Sequence, residues 1–296
     1  MEETQVEKIQ QFRTQLCLCF TKRAAASFNL IDALAAAVNV ESPIGLSESP
    51  AFKRKYASVY DVLDENALDP EKLNKRLHEW KVDDAQTIAG YQGYASDSTG
   101  NPRPEAECLP DRILLKSDTK TPAVPGQEYA GLVRVLRDKS SWVAPVNLQR
   151  VPSLSTASAV AAQQVTCLHA RSPQTPKVIT ADSRYANRVF LAVFVGLLTL
   201  CVLVRLRNNM AWYGPPQKPN PHRRGPHPQH GAKFALKSAR LRTHVDREET
   251  VHVLGQSIRL LAWHPLHFKW LAQLVGCVIC VEFLLPEGAP RYKRPM

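Results

Sequence analysis

A mixed α/β fold, with a sheet flanked by helices and preceded by a helical module, is the class this 296-residue sequence predicts. Three observations carry it. Residues 1–88 repeat apolar side chains at three- and four-residue spacing, residues 91–151 switch to short β-prone runs, and from Ser155 onward helical and strand patterns alternate. With 44% apolar residues the chain can pack a core, and its length suits one large domain or two ordinary ones.

The helical module comes first. Val6, Ile9, Phe12, Leu16 and Phe20 mark one amphipathic helix; Phe28, Ile31, Leu34 and Val38 mark a second after Lys22-Arg23. Ser42-Pro43 and Ser49-Pro50 punctuate a loop, and a third helix is expected around Tyr56 to Leu63. Asp69 followed by Pro70 starts a fourth, carrying Leu73, Leu77 and Trp80. Such a module can bind DNA or only pack. No single helix concentrates its basic residues, so the pattern leaves both readings open.

The strands follow. YQGYASDSTG (91–100) reads as a strand ending at Asp97, and YAGLVRVLRD (129–138) and SWVAPVNLQRV (141–151) read as two more. Ser155 opens the helix STASAVAAQQVTCLHA. Next, KVITA (177–181) is an apolar run bounded by Pro176 and by Asp182-Ser183. Ser183 is a candidate cap for a helix carrying Tyr185, Val189, Phe190 and Ala192, and LCVLVRLR (200–207) reads as a buried strand. The order β, β, β, α, β, α, β matches a ribonuclease H-like core, an antiparallel set joined to parallel strands through crossover helices. In that layout the first and fourth strands are neighbours at the centre, with Asp97 on one and Asp182 at the end of the other. Asp182 then has two readings: a helix cap, or a ligand where α/β sheets gather theirs.

Bulk properties narrow the class. A net charge of +11 and a pI near 9.4 point to an anionic partner, nucleic acid or a membrane surface. The amino terminus MEETQVEKIQ is acidic and polar, unlike a secretory signal or presequence, which favours an intracellular protein. Seven scattered cysteines, an odd number, fit reduced core thiols. Residues 189–206 are apolar enough to raise a membrane anchor. Gly196 and Thr199 divide them, however, and a buried helix followed by a strand accounts for them equally well.

Two carboxylates on neighbouring strands repel when both are ionised, and a divalent cation offsets the charge. Hard oxygen ligands suit Mg²⁺ or Mn²⁺; a pair of such ions about 4 Å apart can activate a water or a 3′-hydroxyl against a phosphodiester.

YASDSTGNPRPEAECLPDR (94–112), VPSLSTASAVAAQQV (151–165), KVITADSRYANRVFLAVF (177–194), LVRLRNN (203–209) and the helical LSESPAFKRKYASVYDVL (46–63) resemble the DDE transposases of bacterial, especially cyanobacterial, insertion sequences. The resemblance spans nearly the whole chain. It implies a helical module over 1–88 and a ribonuclease H-like domain over 89–296, with Asp97 the first metal-binding acid and Asp182 the second. It also implies Mg²⁺ or Mn²⁺ as cofactor, double-stranded transposon ends as partner, a homo-oligomer as the active form, and a place in the bacterial cytoplasm with the nucleoid. Glu105, Glu107 and Asp111 match family positions near the first acid. Residues 213–243 correspond to the family's insertion. They hold seven Lys/Arg, six prolines and no acid, which predicts an extended basic loop without a core, and Arg223, Arg224, Lys233 and Lys237 suit a phosphate backbone. Related loops carry an arginine-glycine-arginine-proline run; Arg223-Arg224-Gly225-Pro226-His227 departs from it, which weakens base reading more than phosphate contact.

Two features fit less well. His264 with His267, and Cys277 with Cys280, have the spacing of a zinc site, but the cysteines sit inside a strand-like run with no turn to bring both sulfurs to one side. The family's third acid lies on a helix beyond the strand VICVEFL, so neither Glu282 nor Glu287 takes that role, and the chain reads as carboxyl-truncated. A DDE transposase is therefore the leading expectation. A DNA-binding regulatory remnant and a small membrane protein anchored by residues 189–206 are the alternatives.

Overall fold

The computed structural model describes residues 4–39, 42–65, 67–80, 87–115, 122–136, 143–207, 209–216, 228–238, 241, 244–286 and 288–292. They form two compact units, Met1–Ile88 with Ser98–Ser153, and Ala89–Asp97 with Leu154–Met296.

In chain order the first unit begins with α1 (Gln5–Cys17), β1 (Phe20–Lys22), α2 (Ala24–Ala36), α3 (Pro43–Ser47), α4 (Ala57–Glu65), β2 (Ala67–Leu68), α5 (Pro70–Glu79) and β3 (Thr87–Ile88). Capping explains the helix starts. Thr4 and Glu7 form a reciprocal box at α1, and Asp69 accepts from the Glu71 and Lys72 amides ahead of α5, whose first residue is Pro70. Ser42 accepts from Gly45, so the stretch read as a loop holds the short α3. Val38 lies beyond the end of α2 and is 98% exposed, so it is no part of that helix's apolar face. Ala26, Leu30, Ala33, Leu46, Phe52, Val59 and Val62 form one buried cluster.

β4 (Tyr91–Pro102) belongs to the second unit up to Asp97 and to the first from Ser98. β5 (Ile113–Leu115), β6 (Val124–Val135) and β7 (Val143–Arg150) pair antiparallel within the first unit. Two strands are longer than the sequence predicts, β4 running to Pro102 and β6 starting at Val124, across Pro and Gly residues that normally break strands. At Gly126 the reason is steric: a Cβ there would lie 2.4 Å from the Asn101 carbonyl oxygen, so only glycine lets the backbones approach. Asn74 on α5 accepts from the Leu148 amide of β7 at 3.2 Å.

The second unit continues with α6 (Ala157–Arg171), β8 (Lys177–Ala181), α7 (Arg188–Leu191) and β9 (Leu200–Val204). Thr156, one residue after the expected Ser155, caps α6. β4, β8 and β9 run parallel in constant register. The seven-stranded sheet has the core order β6-β4-β8-β9, with β5 and β7 pairing β6 and β3 pairing β4. Three antiparallel strands leading into parallel ones through α6 and α7 make this a ribonuclease H-like topology.

Residues 189–206 are divided among α7, a 3₁₀ turn (Ala192–Phe194) and β9, and no helix among the described residues is long and apolar enough to cross a membrane. β9 is only half covered: Leu200 is buried, whereas Cys201 and Leu203 are exposed. After β10 (Trp212–Tyr213) and β11 (Lys233–Phe234) comes a meander the sequence reading saw only in part: β12 (Arg247–Val253), β13 (Gln256–Phe268) and β14 (Leu271–Leu284). Leu254 (φ 49°) and Gly255 (φ 74°) form the two-residue turn between β12 and β13, a left-handed pair whose twist matches the flanking strands.

Candidate active site

The parallel register of β4 and β8 builds the site. Partners run from Gln92–Lys177 to Ser96–Ala181 without a shift, and the Thr180 hydroxyl donates to the Tyr94 carbonyl at 3.0 Å. One step further come Asp97 and Asp182. Asp97 lies inside β4 and Asp182 is the residue after β8, each one position beyond the last registered pair, Ser96–Ala181, where neighbouring strands lie about 4.8 Å apart. Both residues are exposed, as a site that must admit a substrate requires.

Asp182 is also a cap. Its backbone is extended (φ −76°, ψ −180°) and its Oδ1 accepts from the Arg184 amide at 2.8 Å, starting a 3₁₀ turn over Ser183–Tyr185. Ser183, the expected cap, lies inside that turn. The cap of α7 is Asn187, whose Oδ1 accepts from Phe190 at 3.1 Å while its amide group donates to the Ser158 hydroxyl at 2.7 Å and the Arg184 carbonyl at 2.8 Å. Asn187 thus ties the segment after Asp182 to α6. Tyr185, Phe190 and Phe194 pack edge to face beneath it at 5.1 and 5.5 Å. Sequence reading missed Asn187 as a positioning residue, although an Asn three places before Phe190 is itself an N-cap signal.

A carboxylate has two oxygens and about four lone-pair directions, so one Asp182 oxygen can serve the cap while the other meets a cation. Two exposed carboxylates fit the donor chemistry of Mg²⁺ or Mn²⁺. Among the described residues no group of three or more His, Cys, Asp and Glu gathers for a metal.

The other acids have separate places. Glu105 and Glu107 are exposed on the turns after β4. Asp111, at a positive φ of 59°, accepts from the Ser153 amide at 2.7 Å and lies 3.3 Å from the Arg150 guanidinium. Hydrogen bonds from Ser153, and then Arg150, hold its carboxyl below the ordinary value, and it orders its loop. Glu282 on β14 faces Arg259 on β13 in register and accepts from its Nε at 2.8 Å. Glu287 lies outside the described residues.

A model of the DDE superfamily endonucleases matches residues 15–265, a stretch that contains both aspartates and most of the chain. The chain belongs to that family. No curated protein matches this DDE endonuclease at a significant level. Among solved structures, a piggyBac transposase in a synaptic complex with hairpin DNA is similar at 11% identity and a TM-score of 0.43, over 99% of this chain and 55% of that one. This chain therefore spans about half the length of that protein.

The basic insertion is not without a core. Its two ends pair as β10 and β11, Phe234 is fully buried 5.3 Å from the Trp263 ring, and Trp212 lies 3.8 Å from Phe268. The composition hid this because one aromatic residue per limb suffices to anchor a loop. Lys233 and Lys237 are exposed on the returning limb; Arg223 and Arg224 lie outside the described residues. As for zinc, residues three apart on a strand point to opposite faces: Cys280 is buried and Cys277 exposed, and likewise His267 and His264. His267 instead meets His230 of the insertion, ring nitrogens 2.9 Å apart.

Proposed function

We propose that this DDE endonuclease is the DNA transposase of a bacterial, cyanobacterial-type insertion sequence, with Asp97 and Asp182 its first and second metal-binding acids. The observation that supports this most is the unshifted β4–β8 register, which runs up to Ser96–Ala181, the pair immediately before the two aspartates. Mg²⁺ or Mn²⁺ held there would supply Lewis acidity to a phosphodiester and lower the pKa of an attacking water or 3′-hydroxyl. The chain's own part is positional. β4 and β8 fix the separation of the carboxylates, the Arg184 amide orients Asp182, and Asn187 holds the segment behind it.

The partner is the double-stranded end of the element, gripped mainly through phosphates by a strongly basic chain, with Arg223, Arg224, Lys233 and Lys237 as contacts. The acting form is a homo-oligomer in the bacterial cytoplasm, at the nucleoid. In-line displacement in this family draws on a third carboxylate. Glu282 is engaged by Arg259 and is not offered for that role, so residues 1–296 alone bind ends without cutting them. The same residues can therefore act as a DNA-binding regulator.

A gel-shift and nicking assay with duplex carrying the element's ends tests this. Residues 1–296 should shift the duplex and leave it intact with either Mg²⁺ or Mn²⁺. Absence of any shift sinks the DNA reading, and robust metal-dependent nicking sinks the claim of an incomplete acid set.

A further inference from the structure

Basic residues dispersed along the helical module converge in space, which their distribution over the helices conceals. A cavity of about 610 Å³ in the first unit is lined by Arg13 of α1, by Phe28, Asn29 and Asp32 of α2, and by Lys53 and Arg54 of the loop before α4. Its parts are held in place. Asp32 takes the Arg13 guanidinium in a two-point bond of 2.6 and 2.9 Å, and the same guanidinium lies 5.3 Å from the centre of the Phe28 ring. Asn29 donates to the Ala51 carbonyl at 2.8 Å and accepts from the Lys53 amide at 2.7 Å, and Phe52 between them is buried in the core. Lys53 and Arg54 are thus presented from a pinned backbone, both exposed, and the Lys53 charge reaches Asp32 only as a weaker influence behind Arg13. The single lining carboxylate, Asp32, is committed to Arg13, so the walls carry a surplus of two positive charges around an open mouth.

We infer that this cavity is a phosphate-binding site for the backbone of double-stranded DNA, with Lys53 and Arg54 each engaging a phosphate and Arg13 setting the edge of the site. The inference rests on the DNA-binding reading above and adds to it a contact in the helical module. Duplex is the favoured anion because two exposed cations on consecutive residues suit phosphates repeated along a strand, and because the whole chain is strongly basic.

Equilibrium binding of the full chain to a 30-base-pair duplex, measured by fluorescence anisotropy across a salt series in EDTA, tests the site without the metal chemistry. Each neutralised phosphate contributes about 0.9 to the log–log slope. The double variant Lys53→Ala/Arg54→Ala should therefore lose about 1.8 of slope relative to wild type. The charge-preserving Lys53→Arg/Arg54→Lys should keep it, and Lys72→Ala/Lys75→Ala, an equal loss of charge on α5, should leave it unchanged. An unaltered slope in Lys53→Ala/Arg54→Ala overturns the site while leaving the DNA reading standing. Equal losses in both alanine pairs also overturn it, by reducing the effect to net charge. A wild-type chain that does not bind the duplex overturns both.

Discussion

Two strand pairs of the second unit hold acidic residues in opposite ways. In the parallel pair β4–β8, Asp97 inside β4 and Asp182 just after β8 follow the last registered pair, Ser96–Ala181, and both are exposed. In the antiparallel pair β13–β14, Glu282 lies within the ladder opposite Arg259, with its charge already matched. The first pair leaves its acids at the solvent, where the proposed metal site would lie, and the second engages its acid within the ladder. Glu282 is accordingly not proposed as a metal ligand.

Stability measurements on purified protein distinguish side chains that hold the fold from those that do not. The largest effect belongs to the insertion. Phe234→Ala should cost about 3–5 kcal/mol, because a fully buried ring is lost from the contact with Trp263, and a change below about 1 kcal/mol in urea melts would show that the insertion is not anchored there. Next, Glu282→Gln should cost about 1–2 kcal/mol, since it leaves a part-buried Arg259 without its main partner. Asp182→Ala should cost about 0.5–1 kcal/mol through the lost cap, while Asp182→Asn, which can still accept from the Arg184 amide, should be near neutral. A costly Asp182→Asn would mean that this carboxylate is structural after all.

A smaller effect comes from pH. Burial, and then the neighbouring His230, hold the His267 imidazolium below its ordinary value of 6.5, so the folded chain takes up fewer protons than the unfolded one. That contribution to stability is fully present above pH 6.5 and is lost as the pH falls below it. The melting temperature should therefore drop from pH 7 to pH 5.5, and less so in His267→Gln; parallel curves for the two proteins would refute the assignment.

Sequence patterns exposed core strands such as β8 and β9 because buried parallel strands read as short apolar runs. The expectation that Asp97 and Asp182 share one site came from topology and from the family resemblance, and the β4–β8 register runs up to the residues just before them. Other features depend on pairings that no local pattern carries. The start of β6 is hidden by Pro125 and Gly126, which read as a turn until the strand beside them is known. The meander β12–β14 is hidden by charged alternation and by a turn whose first residue is a leucine at positive φ. The convergence of Arg13 with Lys53 and Arg54 depends on how α1 and α2 pack and on a side-chain clasp by Asn29, neither of which leaves a motif.

Joint ligation of one cation by Asp97 and Asp182 is the role proposed for them above. The most direct measurement is Mn²⁺ binding by electron paramagnetic resonance on the wild-type chain and on Asp97→Asn, Asp182→Asn and Glu282→Gln. The expected result is that either aspartate substitution removes most of the bound Mn²⁺, the double substitution removes no more than the single ones, and Glu282→Gln leaves binding as in wild type. Equal Mn²⁺ binding in wild type, Asp97→Asn and Asp182→Asn would contradict it.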